Sequence, residues 1–217
     1  MTLPLTAAKA PNWPISVGAE GIAAAQFARC GFDVLVQTCR DKPWYDFAVT
    51  RAGNLLTVSV KASDDGCWNL THGFDRRSSD PGMRTLDYRR AIDCWASSQG
   101  SKTICCLVQF EGVTISQMPR VYLAFPVEIA AEMRVAMART GHCALQEQYE
   151  WTSAEGVREV AALPSNWRFS QERIRELLER QASPKFGLIS QVRSMAIPIS
   201  IPCQSRPAPE AEAVLTA

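Results

Sequence analysis

Three features of the sequence predict an α/β domain, a mixed sheet flanked by helices. Between Trp44 and Ser63 lie two alternating segments, Asp46-Phe47-Ala48-Val49-Thr50 and Leu55-Leu56-Thr57-Val58-Ser59-Val60-Lys61. Arg51-Ala52-Gly53-Asn54 joins them, short enough and with the Gly-Asn pair that suits a hairpin turn. Ahead of the hairpin, Val17 to Phe27 is apolar nearly all round and rich in small side chains, the composition of a helix that approaches a sheet closely. Beyond it, Thr103 to Phe110 is almost continuously apolar, as expected of a strand covered on both faces.

Composition narrows the class. A chain of 217 residues can form one medium domain with additions, or two small ones. Its formal charge of +1 excludes a protein that binds nucleic acid through its overall field, so any basic surface must be local. Cys30, Cys39, Cys67, Cys94, Cys105, Cys106, Cys143 and Cys203 show no Cys-x-x-Cys pair and no zinc-ligand spacing with His72 or His142. Several fall in apolar runs, where a free thiol behaves as a small hydrophobe, so reduced core cysteines are expected. Met1 to Pro14 lacks a signal peptide's basic start and apolar core, and no apolar run reaches the roughly 20 residues of a membrane span. The expected location is the cytoplasm, with no membrane partner.

Taken in order, Ser16 can cap a helix that runs to about Cys30 and ends at Gly31. On it Val17, Glu20, Ala24 and Phe27 share a stripe expected to face inward, and a carboxylate there needs a partner. Phe32 to Gln37 is the next strand, followed by the hairpin. Asp64 to Arg84 has no periodicity and many turn formers; it carries Trp68, His72, Phe74, Arg76, Arg77 and Arg84, with Arg89 and Arg90 just beyond. Interleaved basic and aromatic residues can hold a polynucleotide backbone and stack on bases, although a plain solvated loop has the same composition. Tyr88, Ala91, Ile92 and Trp95 form one stripe of a second helix stopped by Gly100. Val121 to Phe125 is a strand, and Pro126 opens a helix with Ile129, Met133, Ala136 and Met137 inward and Gly141 past its end. Cys143 to Leu163 fits no single pattern. Ser170 to Gln181 is a helix with Ile174, Leu177 and Leu178 inward and Arg173, Arg175, Glu176 and Glu179 outward. The organisation is then an arm over 1–14, a core over 15–141, an extension over 142–182 ending in a helix, and a Pro-rich extended or disordered tail over 183–217.

The hairpin also fixes chemistry. With the turn centred between Ala52 and Gly53, Asp46 lies opposite Ser59, and cross-strand partners are about 5 Å apart. Alternation puts Phe47, Val49, Leu56, Val58, Val60 and Ala62 on a buried face, and Asp46, Ala48, Thr50, Thr57, Ser59, Lys61 and Ser63 on the other. Asp46 and Lys61 side by side are either a solvated ion pair, common and weak at surfaces, or two members of a site.

The order αβββαβ, with an acid in the first helix, an Asp opening the second strand and a Lys ending the third, resembles the PD-(D/E)XK superfamily of restriction-endonuclease-like nucleases, and within it the Holliday-junction-resolvase-like branch. The residues are Gly18-Ala19-Glu20, Pro43-Trp44-Tyr45-Asp46 and Ser59-Val60-Lys61, and the likeness runs from Ile15 to Phe125. It implies hydrolysis of DNA phosphodiester bonds assisted by Mg2+ or Mn2+. Asp46 and Glu20 would match the family's metal-holding acids, with the Val60 carbonyl a further ligand. Lys61 would orient the attacking water or steady phosphate charge. Arg76, Arg77, Arg84 and Trp68 are the candidate DNA contacts, and many relatives act as dimers, so the resemblance leaves a homodimer open. One departure stands out: Ser59 occupies the place of the usual acid or glutamine, removing a formal negative charge near the metal. Asp65 would restore it only if the strand continued, and Gly66 predicts a turn. Two other functions therefore stay open at this point: a degenerate module that binds nucleic acid without cutting it, and a protein-interaction unit using the surface after Cys143.

Overall fold

The structure, a computed structural model, describes residues 15–36, 45–74, 87–100 and 102–182. The first helix, α1 (Ile15–Arg29), ends where Gly31 takes up a φ of 79°, the left-handed conformation that closes a helix without a Cβ penalty. Strands β1 (Asp33–Val36), β2 (Phe47–Arg51) and β3 (Asn54–Ser63) follow. A two-residue strand, β4 (Cys67–Trp68), precedes α2 (Tyr88–Ser98), β5 (Thr103–Gln109), β6 (Arg120–Ala124) and α3 (Pro126–Thr140). The hairpin has the expected register, Phe47 facing Val58 and Arg51 facing Asn54. Ala52 and Gly53 both have positive φ, 50° and 80°, as a primed two-residue turn requires so that its twist matches that of the strands.

The five-stranded sheet has the order β1-β2-β3-β5-β6, antiparallel at every pairing except β3 with β5. That parallel pair needs a crossover, and α2 supplies it. Helix α1 covers the face of Phe47 and Val58: Ala19, Ala23 and Phe27 are fully buried, and the Phe27 and Phe47 rings meet edge to face at 6.0 Å. The inward stripe is therefore Ala19-Ala23-Phe27, and Val17, expected inside, is 59% exposed; the helix is rotated so that its smallest side chains meet the sheet. Ile92 and Trp95 of α2 and Ile129 and Met133 of α3 cover the opposite face, packing with Cys105, Leu107 and Tyr122. That face, which alternation alone would leave to solvent, is consequently buried at Ala48, Ser59 and Ser63.

The segment that fits no pattern in the sequence forms β7 (Leu145–Gln146), which pairs with β4, and a hairpin of β8 (Gln148–Thr152) and β9 (Arg158–Ala162). Helix α4 (Gln171–Ala182) buries Ile174 and Leu177 as expected. Arg173 is a correction: it is buried rather than outward, donating to the Leu123 carbonyl at 3.1 Å, to Glu128 at 2.6 Å and to Glu176 at 2.8 Å. Glu128 also accepts from the Phe125 amide at the start of α3, so this buried charge has partners on two helices and a strand. The four α-helices, a mixed sheet and the helical end of the extension are as the sequence predicts, the sheet being mostly antiparallel, and the tail expected over 183–217 lies outside the described residues. No helix among the described residues is long and apolar enough to cross a membrane.

Candidate active site

Asp46 sits where β2 begins, and its amide donates to the Val58 carbonyl at 2.8 Å. Its Oδ2 accepts the Val60 amide at 2.7 Å, so a carboxylate takes the place of the next backbone carbonyl in the ladder. In an extended strand a residue's N–H and C=O point the same way, so the Val60 carbonyl is directed to the same gap beside Asp46. Across the sheet the rows run Ser59, Cys105, Ala124 and then Lys61, Leu107, Tyr122, on the face covered by α2 and α3, while Asp46 precedes the first paired residue of β2 and is bonded to Val58 and Val60, on either side of Ser59. At the end of the hairpin away from its turn, Asp46 thus leads into β2, and Ser59 and Lys61 share one face of β3. Burial pushes the Cys105 thiol up to about 12; the Lys61 charge pulls against this and the Asp46 charge adds to it, so both are felt at that buried atom.

The bonding of this group distinguishes it from a surface ion pair. Among the described residues, the ion pairs involve Arg120, Arg134, Arg158, Arg173 and Arg180, and neither Asp46 nor Lys61 takes part. Lys61 is half-buried and takes part in no ion pair among the described residues. Ser59 is 2% exposed, and its hydroxyl makes no hydrogen bond among the described residues. A buried hydroxyl without a partner costs about 1–3 kcal/mol and is the kind of group that a bound water or ion satisfies.

Glu20 approaches from the other side of the sheet plane. Arg51 donates to the Cys30 carbonyl at 2.9 Å, fixing the end of α1 at the hairpin turn, and Phe27 is level with Phe47. Seven residues earlier, at 1.5 Å per residue, Glu20 is about 10 Å along the helix axis from that end. It is half-buried and has an interaction partner. Asp46, because its carboxyl is bonded to a backbone amide, lies in the plane between the two faces.

No family model and no curated protein matches this chain. The site has to be judged on its own chemistry. Carboxylate, backbone carbonyl and hydroxyl oxygens are hard donors, of the kind that Mg2+ or Mn2+ takes with waters retained, and do not suit a soft thiophilic ion. Among the described residues there is no cluster of three or more His, Cys, Asp or Glu that could hold a metal ion. Asp65 does not make up the missing charge: β3 ends at Ser63, Gly66 turns with a φ of 80°, and the Asp65 carboxylate accepts from the Ser63 hydroxyl and the Cys67 amide, both at 3.0 Å.

Trp68 is placed differently from the expectation. It is 1% exposed, its ring meets Tyr122 edge to face at 6.3 Å, and its indole N–H donates to the Lys61 carbonyl at 3.1 Å. A base has no access to it, because packing of the large apolar ring outweighs anything an exposed stacking platform would offer. Arg76, Arg77 and Arg84, with Pro43 and Trp44, lie outside the described residues. A cavity of about 450 Å3 opens elsewhere, on the β6 side, lined by Glu111, Arg120, Tyr122, Glu147 and Arg168 among others. Arg120 grips Glu147 with two bonds of 2.6 and 2.7 Å, and the Tyr122 hydroxyl donates to the same carboxylate. Burial alone would raise Glu147; the bonds from Arg120 and Tyr122 prevail and hold it below the usual carboxylate range. Its sequence separation, 27 residues from Arg120 in a segment without periodicity, offers no signal of this pairing.

Proposed function

We propose that this chain is a metal-dependent nuclease of restriction-endonuclease-like architecture, hydrolysing DNA phosphodiester bonds at the Asp46 end of the hairpin. The observation that carries the reading is a half-buried Lys61, outside any ion pair among the described residues, next in β3 to the Val60 amide on which the Asp46 carboxylate is anchored. Asp46, Glu20 and the Val60 carbonyl would hold Mg2+ or Mn2+. Such an ion, when bound, lowers the pKa of water and offsets negative charge on phosphate. Asp46 is pre-oriented because one of its oxygens is already committed to the backbone. Lys61 offers a positive charge to a non-bridging phosphate oxygen as charge develops there, or orients the attacking water. Ser59 contributes a neutral hydroxyl, and metal affinity should accordingly be weak.

The test is cleavage of labelled single-stranded, duplex and branched DNA by purified protein in Mg2+ or Mn2+, alongside Lys61→Met. Cutting by the wild type that is lost in Lys61→Met supports the reading; intact DNA in every case, together with no metal-dependent rise in melting temperature, overturns it. The neutral Ser59 favours a second reading, a degenerate module that binds DNA through phosphate contacts and cuts nothing. Its mark is an affinity that falls steeply with salt in the absence of cleavage. A homodimer on DNA belongs to the nuclease reading and is checked by sedimentation with and without a duplex.

A further inference from the structure

Trp68 joins three parts of the molecule that the sequence keeps apart. Its indole N–H donates to the Lys61 carbonyl at 3.1 Å, its ring packs on Tyr122, and its backbone pairs with Leu145 of β7. The bond to Lys61 does not compete with the sheet. The Ser63 carbonyl accepts from Phe110, so the Lys61 carbonyl two residues earlier faces β5 too, and a carbonyl has two lone pairs, one for the ladder and one for the indole. The turn that returns Trp68 to this position is built by Ser63. Its hydroxyl accepts the Cys67 amide at 3.1 Å and the Gln109 side-chain amide at 3.1 Å, and it donates to Asp65. Both Ser63 and Gln109 are buried, at 3% and 0% exposure. On the far side, Tyr122 is held by Glu147, whose amide donates to the Gly66 carbonyl at 2.9 Å.

We propose that Trp68 is a positioning residue for Lys61: its N–H pins the end of β3 so that the ammonium is presented beside Asp46, and the extension after Cys143 serves the site by holding Trp68 through β7 and the Glu147–Tyr122 bond. The proposal rests on the nuclease reading for its kinetic consequence, while its structural consequence is measurable without any activity. It gives the extension a role inside the catalytic scaffold.

The experiment separates the N–H from the ring. Position 68 is filled with 3-benzothienylalanine, which keeps the bicyclic shape and has sulfur in place of N–H, with 5-fluorotryptophan as the N–H-bearing control and Trp68→Phe as a second N–H-free variant. Amide hydrogen exchange is followed across the full chain, and single-turnover cleavage is followed against DNA concentration. In both N–H-free proteins, exchange at Val60 to Ala62 should accelerate at least tenfold with the α1 and β6 amides unchanged. The maximal cleavage rate should fall about tenfold while the half-saturating DNA concentration stays within twofold, and the fluorinated control should match the wild type. Unchanged exchange at Val60 to Ala62 overturns the proposal, and so does a uniform loss of protection over the whole sheet, which would make Trp68 a packing residue only. If the wild type cuts no DNA, the nuclease reading falls, and the exchange data alone decide whether Trp68 pins β3.

Discussion

Asp46→Asn isolates charge from structure at the candidate site. The side-chain oxygen of asparagine can still accept the Val60 amide, now bonded at 2.7 Å, so the strand opening survives. A hydrogen bond to a charged group contributes about 1.5–3 kcal/mol and a neutral one about 0.5–1.5, so the exchange should cost about 1 kcal/mol, the lower end applying because Asp46 is only half-buried. Loss of any attraction to Lys61, which it does not contact in an ion pair, adds a few tenths at most. Asp46→Ala, by contrast, leaves the buried Val60 amide without its partner and should cost about 1–3 kcal/mol. The metal response discriminates further. Mg2+ at ten times its dissociation constant stabilises the wild type by about 1.4 kcal/mol, roughly 3–5 °C in melting temperature for a domain of this size. In Asp46→Asn that increment should vanish and DNA cleavage should drop at least a hundredfold. Melting curves with and without 10-fold excess Mg2+, paired with a cleavage assay, measure both. An Asn variant that keeps the full Mg2+ increment and the wild-type cutting rate would reduce Asp46 to a backbone prop.

Ser59→Asp adds a carboxylate on the same face of β3 as Lys61. Without metal it should lower stability by a few kcal/mol, the cost of a charge at a nearly inaccessible position, whereas titration calorimetry should show Mg2+ binding at least tenfold tighter; unchanged affinity would count against a cation at this place. Glu147 is held below its unfolded value, so its contribution is present above about pH 4.5 and is lost as pH falls through the lower folded value. Melting temperature should therefore fall more steeply from pH 5 to pH 3 in the wild type than in Glu147→Gln, and parallel curves would contradict the pairing with Arg120. Arg173→Leu should destabilise by about 3 kcal/mol because Glu128 loses its buried partner. Arg180, which also pairs with Glu128, limits the damage, and Arg173→Lys should not rescue, since only the guanidinium fork reaches Leu123, Glu128 and Glu176 together. Urea denaturation of the three proteins checks this. Ala52→Asn should stabilise by about 0.5–1 kcal/mol, because a residue at φ 50° in a primed turn favours asparagine over alanine, and an unchanged urea midpoint would refute that.

The sequence by itself determined the elements whose information is local. Strand alternation and a two-residue turn are enough to set the β2–β3 register, because a slip of one residue would turn Val58 and Leu56 off the α1 face; the shared face of Ser59 and Lys61 follows from strand alternation, whereas the Asp46 carboxyl is turned into the sheet plane by its bond to the Val60 amide. Helix ends at Gly31 and Gly141 were legible for the same reason: only glycine closes a helix at φ of 79° and 76° without strain. What tertiary structure decided lies in pairings distant along the chain. Ser59 and Ser63 are buried because α2 and α3 cover a face whose pattern is half polar. Arg173 is inside because Glu128 and Leu123, about fifty residues away, meet it there. Trp68 belongs to the core because Tyr122 and Leu145 offer it a surface; nothing within a few residues of Trp68 encodes them. Periodicity reports which side of an element is apolar, and a neighbour brought in by the fold decides what that side touches.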